Sequence, residues 1–457
     1  MGMLLMSQKN QVKCLAVVLV LALSGMGKAE TPVVEWIRQL GTAHGDYGTG
    51  VSVDSSGNAY VTGYTAGGLD GNTNAGYSDM FLTKYDTDGS KLWTQQLGSD
   101  RYDKGYGVSV DRSGNAYVTG CTGGSLDGNT IAGSDDIFLT KYNTDGAKLW
   151  TRQLGSDNND KGYGVSVDGS GNAHVTGWTT GDLDGNTSAG LIDMFLTKYG
   201  TADNKLWTRQ LGTTSIDSGL GVSVDGNGNS YVTGWTTGGL DGNTNAGSGD
   251  GDMFLTKYDT AGTKQWTRQL GTASYDDGCG VSVDGSGNAY VTGWTGGGLD
   301  SNTSSGWEDI FLTKYDTAGT KLWSKQLGTA SRDYGYGVSV DGSGNAYVTG
   351  RTHGDLDGNT SAGSDDLFLT KCDTDGIKLW TQQLGTASDD YGIDVSVDDS
   401  GNAYVAGHTY GGLDGNINAG GWDMFLVKIS SVPEPGSIVM LVGVGLVGLL
   451  CRRRKCG

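Results

Sequence analysis

Apolar and polar residues alternate along this chain in short runs, and the runs return at a fixed interval. In the first stretch, residues 50–54, 58–65, 80–85 and 92–97 are each rich in β-branched or aromatic side chains and bounded by Gly, Asp, Asn or Ser, so each predicts a strand. Residues 55–57 and 86–90 are hairpin-sized links, and 66–79 is a longer loop. No part of the body carries the 3.6-residue period of a helix.

The Val-Ser-Val-Asp motif places its aspartate at Asp54, Asp111, Asp168, Asp225, Asp284, Asp341 and Asp398, a step of 57 residues except for one of 59. The two extra residues fall between Asp241 and Asp252, in the long loop of the fourth copy. Seven four-stranded units that need neighbours to bury their faces predict an all-β, seven-bladed propeller with antiparallel blades, because a closed ring removes exposed edges. The last copy lacks its Trp-containing fourth strand, and a spare one, residues 34–40, precedes the first copy. Pairing it beside residues 423–429 closes the ring.

Composition adds a constraint: 82 of 457 residues are glycine, and the formal net charge is -20. All acids except Glu30, Glu35, Glu308 and Glu434 are aspartates, which belong to turns more than to helices. An acidic surface repels phosphate backbones, so no nucleic-acid partner is expected. Cys121, Cys279 and Cys372 replace different residues of the repeat without metal-ligand spacing, and read as buried or incidental thiols.

Both ends read as addresses. Residues 1–29 combine Lys9 and Lys13, an apolar run and Gly27-Lys28-Ala29, predicting a signal peptide cut by signal peptidase after Ala29. The propeller then occupies residues 30–431, and residues 432–457 carry Pro433, Glu434 and Pro435, a short apolar segment at 437–451 and the cluster 452–455. This tail resembles the PEP-CTERM sorting signal of Gram-negative bacteria. The resemblance implies an exosortase partner, transient anchoring in the inner membrane, and delivery to the cell surface, outer membrane or extracellular matrix.

The repeat, with Asp-Gly-Ser-Gly-Asn-Ala-Tyr-Val-Thr-Gly at 284–293 and Asp-Met-Phe-Leu-Thr-Lys-Tyr-Asp at 79–86, is similar to the SBBP β-propeller repeat. That resemblance implies the fold and surface display but carries no agreed ligand or catalytic residues. Candidate chemistry therefore comes from the residues. Phe81 and its six equivalents, and the tryptophans from Trp36 to Trp380, recur in every unit and read as packing between blades. Lysines such as Lys84 and Lys141 read as ion-pair partners of repeat aspartates.

Three aspartate registers are expected on one face, beginning at Asp46, Asp70 and Asp79, so that twenty-one carboxylates share a rim. The second register, Asp70, Asp127, Asp184, Asp241, Asp300, Asp357 and Asp414, lies in Gly-rich loops and is the candidate Ca²⁺ set, with turn capping as the alternative and better-supported role. Two registers vary between copies. One ends the second strand and includes Trp178, Trp235, Trp294, Arg351 and His408; the other includes Tyr106, Tyr163 and Tyr336 and is expected at the mouth of a central channel, where rings suit stacking on sugars.

No HExxH, GxSxG or phosphate-binding loop is present, and the chain has four histidines. The expectation is a non-catalytic exported scaffold or adhesion module that binds divalent cations, exopolysaccharide or a surface protein. The alternative is a lyase or glycosidase using Arg351, His353 and His408 on blades six and seven.

Overall fold

The computed structural model describes residues 30–247 and 249–433. Val34–Ser430 form one compact unit made of seven four-stranded antiparallel sheets, each built in chain order from inner to outer strand. In the first, Asp46–Val53, Ala59–Thr65, Asp79–Tyr85 and Lys91–Leu97 follow one another. The seventh differs as its sequence demands: its outer strand is Glu30–Leu40, paired to Asp423–Pro433. The predicted signal peptide, Glu434, Pro435 and the C-terminal apolar segment lie outside the described residues; Pro433 ends the last strand.

Each core cluster spans two neighbouring blades. Phe81 is packed among Val51, Val61 and Leu69 of its own blade and Tyr404, Met424 and Leu426 of the seventh. Burying one sheet face against the next is what makes the unit depend on closure. Polar bonds follow the same logic. The Tyr60 hydroxyl donates to Gly114 O at 3.0 Å and Trp93 Nε1 to Thr144 O at 3.2 Å, both in the following blade. Lys84 reaches the same Thr144 carbonyl and lies 4.0 Å from Asp54.

Two details differ from the sequence expectation. The inner strand starts at Asp46, four residues before 50, because a β-bulge between Gly48 and Gly50 lets pairing continue to Asp46 opposite Thr65. Five of the seven long loops also contain a single 3₁₀ turn, such as Leu69–Gly71, that buries its leucine. The two extra residues of the fourth copy leave its strands, Ser230–Thr236 and Asp252–Tyr258, as long as their counterparts.

Candidate functional site

The acidic rim is the first correction. Asp46 and its equivalents begin the inner strands, fully buried, where Asp46 accepts from Thr42 N at 2.6 Å, Thr42 Oγ1 at 2.9 Å and the Thr65 hydroxyl. Asp79 and its equivalents begin the third strands, also buried, and accept from Ala75 N at 2.8 Å and Gln96 Nε2 at 3.0 Å. A Cβ on Gly98 would lie 2.0 Å from Asp79 Oδ1, so glycine there is required by the carboxylate. Fourteen of the twenty-one expected carboxylates are therefore internal fasteners of the loop face, because each link folds back over its own aspartate.

The remaining register is solvent-facing. Asp70, Asp127, Asp184, Asp241, Asp300, Asp357 and Asp414 all hold positive φ between 50° and 55°, a conformation that Asp tolerates better than most side chains. The first six each pair with the lysine that opens the outer strand of their blade, as Asp127 does with Lys148 at 2.6 Å. In the seventh blade Val34 occupies the register of that lysine. Among the described residues, no three His, Cys, Asp or Glu side chains converge on one point.

The central channel is where the second variable register was expected. Each inner-strand bulge leaves one residue unpaired, and the seven so released, Thr49, Tyr106, Tyr163, Leu220, Cys279, Tyr336 and Ile393, all line a cavity of about 500 Å³. A bulge re-aims its side chain away from the sheet. Tyr106 and Tyr163 stack at 4.9 Å between centroids, and Cys121 Sγ lies 3.8 Å from the Tyr106 hydroxyl. Burial pushes the Cys121 thiol up to about 11. Lys161 covers the Trp178 ring at 5.4 Å, and Trp235 faces Ser218 across its own strand pair.

A second aromatic group runs through blades five to seven. Trp294 meets Tyr334 edge-on at 5.4 Å, and the Arg351 guanidinium sits 4.6 Å from the rings of both Tyr334 and Tyr391. Arg351 and His353 share one carboxylate, Asp365, at 2.7 Å and 3.0 Å. His408 does not join them: it lies one ring away, against Tyr391 and Trp422, with Nδ1 donating to Gly48 O at 3.3 Å. Burial brings His408 down to about 4, so it is neutral at pH 7. The expected trio is thus a pair plus a packed histidine.

Sequence reasoning missed several residues that the structure brings together. Asp277 and Asp394 line the channel, and burial raises them to about 7 and about 6. Asp394 was detectable as the sole non-glycine in a register of Gly50, Gly107, Gly164, Gly221, Gly280 and Gly337. Trp307, Arg332 and Asp365 join Tyr334, Arg351 and His353 around a cleft of about 460 Å³ on the long-loop face. Trp307 is set beside Arg332 because the loop before Asp309 bridges the link entering the next blade, with Trp307 N donating to Ser331 O at 3.2 Å. The same face exposes Tyr77, Tyr102, Tyr275 and Tyr410.

Comparison with known proteins matches the Beta-propeller repeat family, SBBP, at residues 35–70, 92–127, 149–184, 206–241, 265–300, 322–357 and 379–414, and the PEP-CTERM protein-sorting motif at 431–455. The regulatory protein FlaEY of Caulobacter vibrioides is 28% identical over 48% of this chain and 26% of its own length. An uncharacterized WD repeat-containing protein, L264, of Acanthamoeba polyphaga mimivirus is 25% identical over 43% of this chain and 18% of its own. The chain thus spans about a quarter or less of the length of these curated relatives. A gluconolactonase of Xanthomonas campestris aligns in structure over 89% of this chain and 99% of its own, at 11% identity and a TM-score of 0.36. With seven matched repeats forming seven observed blades, the chain belongs to the SBBP β-propeller repeat family and carries a PEP-CTERM protein-sorting motif.

Proposed function

We propose that this exported, surface-directed propeller is a non-catalytic scaffold that holds extracellular polysaccharide on its long-loop face. One observation carries the reading: Tyr77, Tyr102, Tyr275, Trp307 and Tyr410 are each at least half exposed and all sit on links at that one edge of the blades. Exposed rings on a single face suit stacking against sugar rings, while the phenylalanines that recur in every blade are wholly buried. Aromatic platforms in several blades favour a long polymer over a small molecule, because each weak contact adds to the next.

The test is retention of the full chain on purified extracellular polysaccharides, compared with a variant carrying Tyr77→Ser, Tyr102→Ser, Tyr275→Ser and Tyr410→Ser. Loss of retention with an unchanged melting curve supports the reading; equal retention sinks it. A catalytic alternative draws on His353 and Asp365, hydrogen-bonded at 3.0 Å and flanked by Arg351. It predicts new reducing or unsaturated ends released from a polymer, which the scaffold reading does not.

A further inference from the structure

The cleft between blades five and six departs from the repeat at Trp307, Arg332 and Arg351. Where Trp307 stands, the other copies have Tyr77, Ser134, Leu191, Asp250, Ser364 and Gly421; where Arg332 stands, they have Gly45, Tyr102, Asn159, Ile216, Tyr275 and Asp389. Trp307 is 67% exposed, and the Arg332 guanidinium lies 5.6 Å from its ring centroid. The charges beneath are already matched. Asp365 accepts from Arg351 and His353, and Glu308 lies 3.3 Å from Arg332 Nε.

What remains open is the outer edge of Arg332. Its side chain is 59% exposed, and among the described residues its only ion pair is the one through Nε to Glu308, not through a terminal nitrogen. A guanidinium edge of this kind matches a carboxylate with two parallel hydrogen bonds, and an adjacent indole matches the apolar face of a pyranose. Elsewhere a chain with a net charge of -20 repels polyanions. The cleft is less acidic than the chain at large, because Arg332 and Arg351 line it and offset Glu308 and Asp365.

We propose that this cleft binds a carboxylated sugar residue, the ring lying on Trp307 and the carboxylate on the outer edge of Arg332. The proposal rests on the polysaccharide reading above and names its ligand class. Arg351 is a positioning residue: it is held between Tyr334 and Tyr391 and fixes Asp365, which in turn orients His353.

The test is calorimetric titration of the full chain with polygalacturonate oligomers and with the same oligomers methyl-esterified, which keep the ring and lose the charge. The free acid should bind at least about tenfold more tightly than the ester. Trp307→Ala should weaken both, whereas Arg332→Gln should weaken the acid about tenfold and leave the ester within about twofold. Arg332→Lys, which keeps charge without the planar edge, should fall between. Equal binding of acid and ester by the unsubstituted chain, or an unchanged acid affinity in Arg332→Gln, overturns the carboxylate assignment and leaves the polysaccharide reading standing. Binding of neither probe overturns the carboxylate assignment too, and retention on purified polysaccharide then decides the wider reading separately. Arg332 is exposed, so a matching melting curve establishes that each variant is folded.

Discussion

Asp394 faces Ala406 across the two inner strands of blade seven, where the other six blades have glycine opposite threonine. The two departures belong together. A Cβ added to Gly50, Gly164 or Gly221 would meet the methyl of its facing threonine at 3.2 to 3.3 Å, whereas Ala406 has no such methyl and leaves room for a carboxylate. That carboxylate accepts the Val51 N–H of blade one at 2.9 Å and its neighbour's Val395 N–H at 2.9 Å. It therefore joins blade seven to blade one at the channel, while the N-terminal strand completes blade seven at the outer edge.

Restoring threonine opposite the aspartate should crowd the site. Ala406→Thr is expected to destabilise the propeller by about 1–3 kcal/mol, and Asp394→Gly in the same chain should recover most of that loss. Urea unfolding of the two single variants and the double variant measures the coupling. Additive effects would mean that the two positions do not compete for space.

The outer closure rests on packing. Ile37 is 6% exposed in a cluster with Trp380, Phe425 and Val427, so Ile37→Ala should cost about 2–4 kcal/mol in the same unfolding measurement. A loss below about 0.5 kcal/mol would show that the strand contributes little beyond its backbone bonds.

Stability should fall from mildly acidic to neutral pH. Burial raises Asp46, Asp103, Asp160, Asp217, Asp333 and Asp390 above their ordinary value of 3.8, and brings Asp276 and Asp394 to about 6 and Asp277 to about 7. The folded form thus binds more protons than the unfolded chain across this range, so their stabilisation is complete below 3.8 and is lost as pH rises through 6 to 7. Asp111, Asp127 and Asp168 are lowered by their hydrogen-bonding partners and lose their contribution only on further acidification below 3.8. Burial lowers His174 and His408, whose contribution is present above 6.5 and is lost as pH falls, so they offset part of this trend. The raised aspartates outnumber them, and the expected result is a higher Tm near pH 5 than near pH 7.5 at constant ionic strength, the reverse order meaning that the histidines dominate.

The solvent-facing aspartates should behave as turn residues. Asp70→Asn should be nearly neutral, because an exposed ion pair contributes only about 0–1 kcal/mol, whereas Asp70→Val should cost about 1–2 kcal/mol at its φ of 55°. With Lys91 already on Asp70, millimolar CaCl₂ should leave the Tm within about 1 °C of its value in chelator. A saturable calcium-dependent rise would instead make these loops a cation-organised surface.

The repeat period, the four strands per blade and the closing strand at 34–40 were all determined by sequence alone, because alternation and turn residues act locally and the missing last strand has only one candidate replacement. The channel register was legible too, as a variable position beside glycines at each bulge. Only tertiary structure decided which aspartates face water. Asp46, Asp70 and Asp79 carry the same side chain on the same edge of one blade, yet two are covered by their own links and one is left to a lysine. Tertiary structure likewise put Trp307 on Arg332 and separated His408 from His353, since those neighbours are set by how one blade's loop meets the next, a long-range contact that no local pattern encodes.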